Sequence, residues 1–135
     1  MRQVVLDTET TGLSVEDGHR IIEIGCLEVV NRRITGNHLH LYLNPERAID
    51  EGALAVHGIS EEMLRDKPRF AEVADRILEF VCGAQVLIHN APFDEGFLDA
   101  ELQRIGAGRF RDACAGIVDT LVMARGLHPG KHLPA

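Results

Sequence analysis

The chain has 135 residues, of which 45% are apolar and 26% charged, a balance that fits one globular domain with an ordinary core and excludes a disordered chain. A net charge of −7 excludes a protein that coats nucleic acid by charge alone, and no apolar run approaches the ~18 residues of a membrane span. The three cysteines, Cys26, Cys82 and Cys114, are far apart and lack zinc spacing, which points to a reducing cytoplasm.

The start, Met1-Arg2-Gln3-Val4, enters strand-like sequence with no hydrophobic leader ahead of it. A first strand is expected over 3–8, a polar turn over Ser14 to Gly18, and a long β-branched strand in "RIIEIGCLEVV" (20–30). Asn31 to Gly36 reads as a turn, and "NHLHLYL" (37–43) alternates with Leu39, Leu41 and Leu43 on one face. Pro45 closes this antiparallel meander. The period then changes: Phe70, Val73, Ala74, Ile77, Leu78 and Val81 recur at helical steps, with Gly83 as the stop. "QVLIHN" (85–90) reads as a short buried strand. Pro92 opens a helix running to about Ile105 and ended by Gly106. "GIVDTLVMARG" (116–126) predicts a brief strand and then a helix capped by Asp119.

These elements predict an α/β domain over 1–135, a five-stranded mixed sheet with helices packed on it. A right-handed crossover places strand 85–90 beside and parallel to strand 3–8. That pairing brings the first turn of the helix after strand 85–90, with Asp94, to the edge that carries Asp7 and Glu9. Residues i and i+2 of a strand share a face, so Asp7 and Glu9 converge there. Three acids in one place repel one another unless a cation joins them. The alternatives are that each acid is separately solvated, or that Asp94 complements its helix dipole. Oxygen-only ligands suit Mg²⁺ or Mn²⁺. Two such ions roughly 4 Å apart can activate a water and stabilise a leaving oxygen in phosphodiester cleavage.

"LDTETTGL" (6–13), "VHGI" (56–59) and "IHNAPFDEGFL" (88–98) resemble three landmarks of the DEDD-type (DEDDh) 3′–5′ exonucleases. "HRIIEIGCLEVVNRRITGN", "KPRFAEVADRILEF" and "HPGK" extend the similarity end to end, toward the proofreading branch that serves bacterial replicases. The resemblance implies a ribonuclease-H-like fold, two Mg²⁺ or Mn²⁺ ions and a DNA 3′ end, single-stranded or mismatched, as substrate. It implies Asp7, Glu9 and Asp94 as catalytic residues, with Asp7 and Glu9 as metal ligands. Thr8, Gly12, Leu13, His57, Asn90 and Phe93 match positions around the 3′ nucleotide, although Phe93 also fits a core position four before Phe97. His89 is expected to serve the strand end structurally.

The sequence also departs from that pattern. The family's third motif, a histidine and an aspartate five residues later, lies beyond the "PGK" element, and the sequence reads only "HPGKHLPA" there. His128 and His132 lie upstream of where that motif belongs. The expectation is therefore an exonuclease domain lacking its C-terminal portion. Most contacts to a polymerase alpha subunit, a sliding clamp and other replicase subunits would lie in segments absent here. Gly52 stands where the family often has an acid, with Glu51 as a candidate stand-in. An RNA-directed exonuclease and a non-catalytic fragment that binds metal or a 3′ end are the competing readings.

Overall fold

The computed structural model describes residues 1–127. Its five strands are β1 (Arg2–Thr10), β2 (Ile21–Val30), β3 (Arg33–Tyr42), β4 (Gln85–Ile88) and β5 (Gly116–Asp119), arranged in the order β3-β2-β1-β4-β5. β1, β2 and β3 are antiparallel neighbours. β4 runs parallel to β1 and β5 parallel to β4, so the expected mixed sheet and its central parallel pair are both present. The helices are α1 (Glu51–His57), α2 (Glu61–Leu64), α3 (Phe70–Val81), α4 (Ala91–Arg104) and α5 (Thr120–Leu127), with a 3₁₀ turn at Phe110–Ala113.

Alternation along β1 decides what each face does. Val4, Leu6, Thr8 and Thr10 are buried, while Val5 and Asp7 are exposed and Glu9 is half-buried. The inward set packs with Ile24 and Cys26 of β2 against Phe70, Val73, Ile77 and Val81 of α3 and Phe97, Leu98 and Leu102 of α4. Burying an aliphatic side chain of this kind contributes ~1.5–3 kcal/mol. A smaller cluster of Ile22, Ile59 and Leu64 sits apart from this core. The register of β1 and β2 slips between Glu9 and Thr10, so that Glu9 faces Glu23 while Thr10 faces Ile21. The slipped residue, Ile22, packs into the small cluster while Ile21 joins the main core. A bulge does this by turning one extra side chain to the other face, and it sits at the tip where Glu9 is aimed.

Three strand boundaries differ from the sequence expectation by two residues or more. β3 begins at Arg33, because a two-residue turn with both Asn31 and Arg32 at positive φ (51° and 67°) replaces a turn over 31–36. Such turns match the right-handed twist of paired strands. β1 runs to Thr10, past the expected end at Thr8. Strand 85–90 stops at Ile88, and Asn90, at φ 63°, turns the chain into α4. Helices α1 and α2 carry no helical apolar stripe, and α1 buries no residue, so the period of the sequence does not announce them.

The amphipathic helix ends as its pattern predicts. α3 covers 70–81, with the Glu72 carboxylate accepting from the Arg69 N–H at 3.0 Å ahead of its first turn. Gly83 and Gly106, the expected stops of α3 and α4, both adopt left-handed backbone. Asp119 caps α5 by accepting from the Leu121 N–H at 3.0 Å, and it also accepts from the Asn90 N–H at 3.0 Å. One carboxylate thus ties the starts of two helices together. Cys26, Cys82 and Cys114 are free thiols, and burial pushes Cys26 up to about 12. Among the described residues no helix is long and apolar enough to cross a membrane. The "HPGK" element, His128 and His132 lie outside the described residues.

Candidate active site

The tip of β1 sets out the acids. Asp7 and Glu9 project from the same face, away from the main core, because Leu6 and Thr8 take the inward positions. Asp7 lies opposite Gly25, and Gly25 lies opposite His40 of β3. The missing side chain at Gly25 leaves a hollow of about 120 Å³ lined by Asp7, Glu9, Glu23 and His40. His40 Nε2 meets the Glu23 carboxylate at 2.5 Å. Burial raises the pKa of Glu9 above the ordinary value, with the Asp7 and Glu23 charges adding to it and His57 opposing it. Glu23 and His40 were not singled out from the sequence. Only the strand register brings them to the acids.

Asp94 arrives from the other side. It occupies the first turn of α4, is 5% exposed, and accepts from both the Thr8 N–H at 3.1 Å and the Thr8 hydroxyl at 2.9 Å. Burial, with Asp7 adding to it, pushes its carboxyl up to about 6 against the pull of the Thr8 hydrogen bonds. Thr8 is therefore an anchor between the two acidic segments as well as a cleft residue. The three acids do not close into a cage: among the described residues, no group of three or more His, Cys, Asp or Glu side chains is placed to hold a metal ion.

Beside the acids lies a cleft of about 330 Å³, with Thr8, Glu9 and Phe93 at its base. The chain just after β1, through Gly12 and Leu13, forms one wall, and Asp50, Val56 and His57 of the α1 segment form the other. His57 is fixed by its own segment. The Ile59 N–H donates to Nδ1 at 3.0 Å, which leaves Nε2–H to donate to the Thr10 carbonyl at 3.1 Å. Leu13 is 86% exposed and Val56 83%, two apolar side chains facing solvent at the cleft mouth. Phe93 both lines the cleft and packs on Phe97 with ring centroids 5.0 Å apart, so the two expectations for it coincide. Asn90 is not among the residues lining this cleft; it stands at the β4–α4 turn. His89 meets the Thr120 hydroxyl at 3.2 Å, a structural contact at the strand end. Gly52 lines the cleft but Glu51 does not, and the acid found there is Asp50.

A hard divalent cation fits this donor set. Asp7 and Glu9 offer carboxylate oxygens on one face, and both the burial that chiefly raises the pKa of Glu9 and the Asp7 charge that adds to it are penalties a bound cation would offset. Mg²⁺ commonly takes only one or two protein carboxylates and completes its shell with water and substrate phosphate.

Comparison with known proteins places this geometry in context. The Exonuclease (RNase_T) family matches residues 4–135. The DNA polymerase III epsilon subunit of Pasteurella multocida strain Pm70 is 52% identical over 134 residues, covering 96% of this chain and 53% of its own length. That of Escherichia coli K12 is 51% identical over 136 residues, covering 96% of this chain and 56% of its own length. The chain thus spans about half the length of the curated relatives it matches. Among solved structures, exonuclease X in complex with 5′-overhanging duplex DNA superposes with a TM-score of 0.74 at 29% identity, over 98% of this chain and 68% of that one. Exonuclease I in complex with an inhibitor superposes at 0.86 and 20% identity, over 98% of this chain and 32% of that one, a likeness of fold.

Proposed function

Because the chain belongs to the exonuclease family, we propose that it forms the catalytic domain of a proofreading 3′–5′ exodeoxyribonuclease of the DNA polymerase III epsilon type. One observation carries the reading. The tip of β1 turns Asp7 and Glu9 to one face, with Glu9 lining a cleft that also holds Thr8, Gly12, Leu13, His57 and Phe93 and Asp7 lining the adjoining hollow that Glu9 shares. Relatives named as subunits of a DNA polymerase favour DNA as the substrate, and in this reading the cleft takes its 3′ end.

In this reading Asp7 and Glu9 hold Mg²⁺ or Mn²⁺, and bound divalent ions supply an activated water and a stabilised leaving oxygen. The chain's own residues do the rest. Gly12, without a side chain, lets backbone come close to the terminal nucleotide. Leu13 and Val56 offer apolar surface to a base at the cleft mouth. Asp94, through Thr8, fixes β1 against α4 so that the two metal-binding acids keep their spacing. Assembly with a polymerase subunit and a sliding clamp belongs to the same proposal.

A second reading has its own support. The described residues present two open acids rather than a closed ligand set, which suits a module that binds a 3′ end without turning it over. A 3′-labelled oligodeoxynucleotide incubated in Mn²⁺ with the purified chain, and with the same chain extended through the family's third motif, separates the two. The leading reading expects mononucleotides released from the 3′ end, with Asp7→Ala slowing release at least about 100-fold. Binding of that oligonucleotide without release would favour the module, and a ribonucleotide substrate degraded faster than DNA would overturn the DNA assignment.

A further inference from the structure

We propose that His19 is a positioning residue of the cleft, a buried strut that sets the spacing between its two walls. The proposal rests on the nuclease reading for its consequence, though not for its geometry. One wall runs through Gly12 and Leu13, directly after the buried Thr11; the other begins at Asp50, the residue that precedes α1 and leads to Val56 and His57. The His19 side chain is 6% exposed and lies between them. The Thr11 hydroxyl meets Nδ1 at 2.8 Å, and Nε2 meets an Asp50 carboxylate oxygen at 3.2 Å.

The hydrogen-bond directions follow from the neighbours. The Asp50 carboxylate can only accept, so Nε2 is the donor there, and in the neutral ring Nδ1 accepts from the Thr11 hydroxyl, whose oxygen in turn accepts from the Arg20 N–H at 3.0 Å. The ring proton then sits on Nε2 and points at Asp50. Asp50 shows the consequence. An aspartate at the start of a helix ordinarily caps it with its carboxylate, yet Asp50 makes no side-chain cap bond to α1. Its carboxylate is turned to His19 instead. Since Asp50 is 57% exposed and His19 is not, the imidazole is the fixed partner and the carboxylate the one held.

Gly12 completes the device. A Cβ there would lie 2.4 Å from the His19 ring, so only glycine lets the ring rest against this wall. The ring is pinned at both nitrogens and cannot swing aside cheaply. The wall is tied further back as well. Thr11 N–H donates to the Arg20 carbonyl at 2.9 Å, and the Arg20 guanidinium is bidentate on buried Glu101 of α4. The Asp50 N–H donates to the Thr11 carbonyl at 2.8 Å and His57 Nε2 meets the Thr10 carbonyl at 3.1 Å; His19 adds the buried side-chain tie that holds the Asp50 carboxylate to the same wall, anchored on α4 through Arg20 and Glu101.

The test uses the full chain and four variants: His19→Ala, His19→Gln, Gly12→Ala and the double variant Gly12→Ala with His19→Ala. Two readouts are needed. The first is the affinity for a 3′-hydroxyl oligodeoxynucleotide with a phosphorothioate at its last linkage, in Mn²⁺, by fluorescence anisotropy. The second is amide hydrogen exchange over residues 11–13 and 51–57 without metal or DNA. His19→Ala is expected to raise Kd about tenfold and to speed exchange in both segments together. His19→Gln, whose amide still reaches Asp50, restores Kd to within about threefold of the wild type. In the exchange measurement, which contains no DNA, Gly12→Ala speeds exchange over residues 11–13 when His19 is present but adds little when His19 is already alanine, because the clash is gone. The strut is overturned by unchanged exchange in both segments, by equal effects of Gly12→Ala on exchange in the two backgrounds, or by a glutamine variant as weak as the alanine one. If the wild-type chain binds no oligonucleotide, the nuclease reading fails, and the exchange measurement alone decides for or against His19.

Discussion

Replacing Asp94 with asparagine should stabilise the metal-free fold at neutral pH and remove part of its pH dependence. The carboxyl rises from an ordinary 3.8 to about 6 in the folded chain, chiefly because burial disfavours its charged form. Between those two values the folded state holds a proton that the unfolded state has released, so stability falls as pH rises through that window. At ~1.4 kcal/mol per pH unit, ionised Asp94 costs the fold on the order of 2 to 3 kcal/mol above pH 6. Asparagine stays neutral, and its carbonyl oxygen can still accept from the Thr8 N–H and hydroxyl. Urea unfolding in EDTA should therefore show nearly equal stability of the two proteins at pH 4, and the variant ahead by about 2 kcal/mol at pH 7.5. Adding Mn²⁺ should narrow that gap, since a cation near Asp7 and Asp94 compensates the charge that burial penalises. A stability difference that stays constant from pH 4 to pH 7.5 would refute the assignment of this destabilisation to Asp94.

Two further perturbations probe the platform and its anchor. Asp7→Ala should abolish Mn²⁺ binding in calorimetry while leaving the metal-free melting temperature unchanged or higher, because it relieves repulsion with Glu9; retained Mn²⁺ affinity would count against this site. Glu101→Ala strips a buried carboxylate that accepts from the Arg20 guanidinium at 2.7 Å and from the Ile21 N–H at 3.1 Å. It should destabilise the chain by about 3 to 5 kcal/mol in urea unfolding, and Glu101→Gln, which keeps an acceptor for both, should recover a large part of that loss.

What the amino-acid sequence determines here is whatever local period and local chemistry control. The alternation of β1 separates Leu6 and Thr8 from Asp7 and Glu9, and so places two acids on one face before any partner strand is known. The three-and-four spacing of α3 from Phe70 to Val81, and the acid at 119 ahead of α5, are equally local. The parallel pairing of β4 with β1 follows from the handedness of crossovers, which is nearly invariant, and with it Asp94 reaches the β1 tip.

The rest is decided by contacts between residues far apart in the chain, for which no spacing rule exists. Thr8 is a candidate cleft residue by resemblance, but its role as the partner of Asp94 emerges only when α4 folds over it and aims that carboxylate at its N–H and hydroxyl. Glu101, a charged residue on a helix, reads as a solvated position, yet it is 2% exposed because Arg20 and the Ile21 amide satisfy it. Helices α1 and α2 bury too little of themselves to leave a stripe: α1 buries no residue and α2 only Leu64. Gly12 is legible as a small residue near a substrate. That it is also the seat of a buried imidazole, and that Asp50 abandons its own helix to hold that imidazole, are facts of packing. Periodicity reports the free energy a segment gains from one apolar environment; it carries no information about which polar group, tens of residues away, will meet another at 3 Å once both have left water.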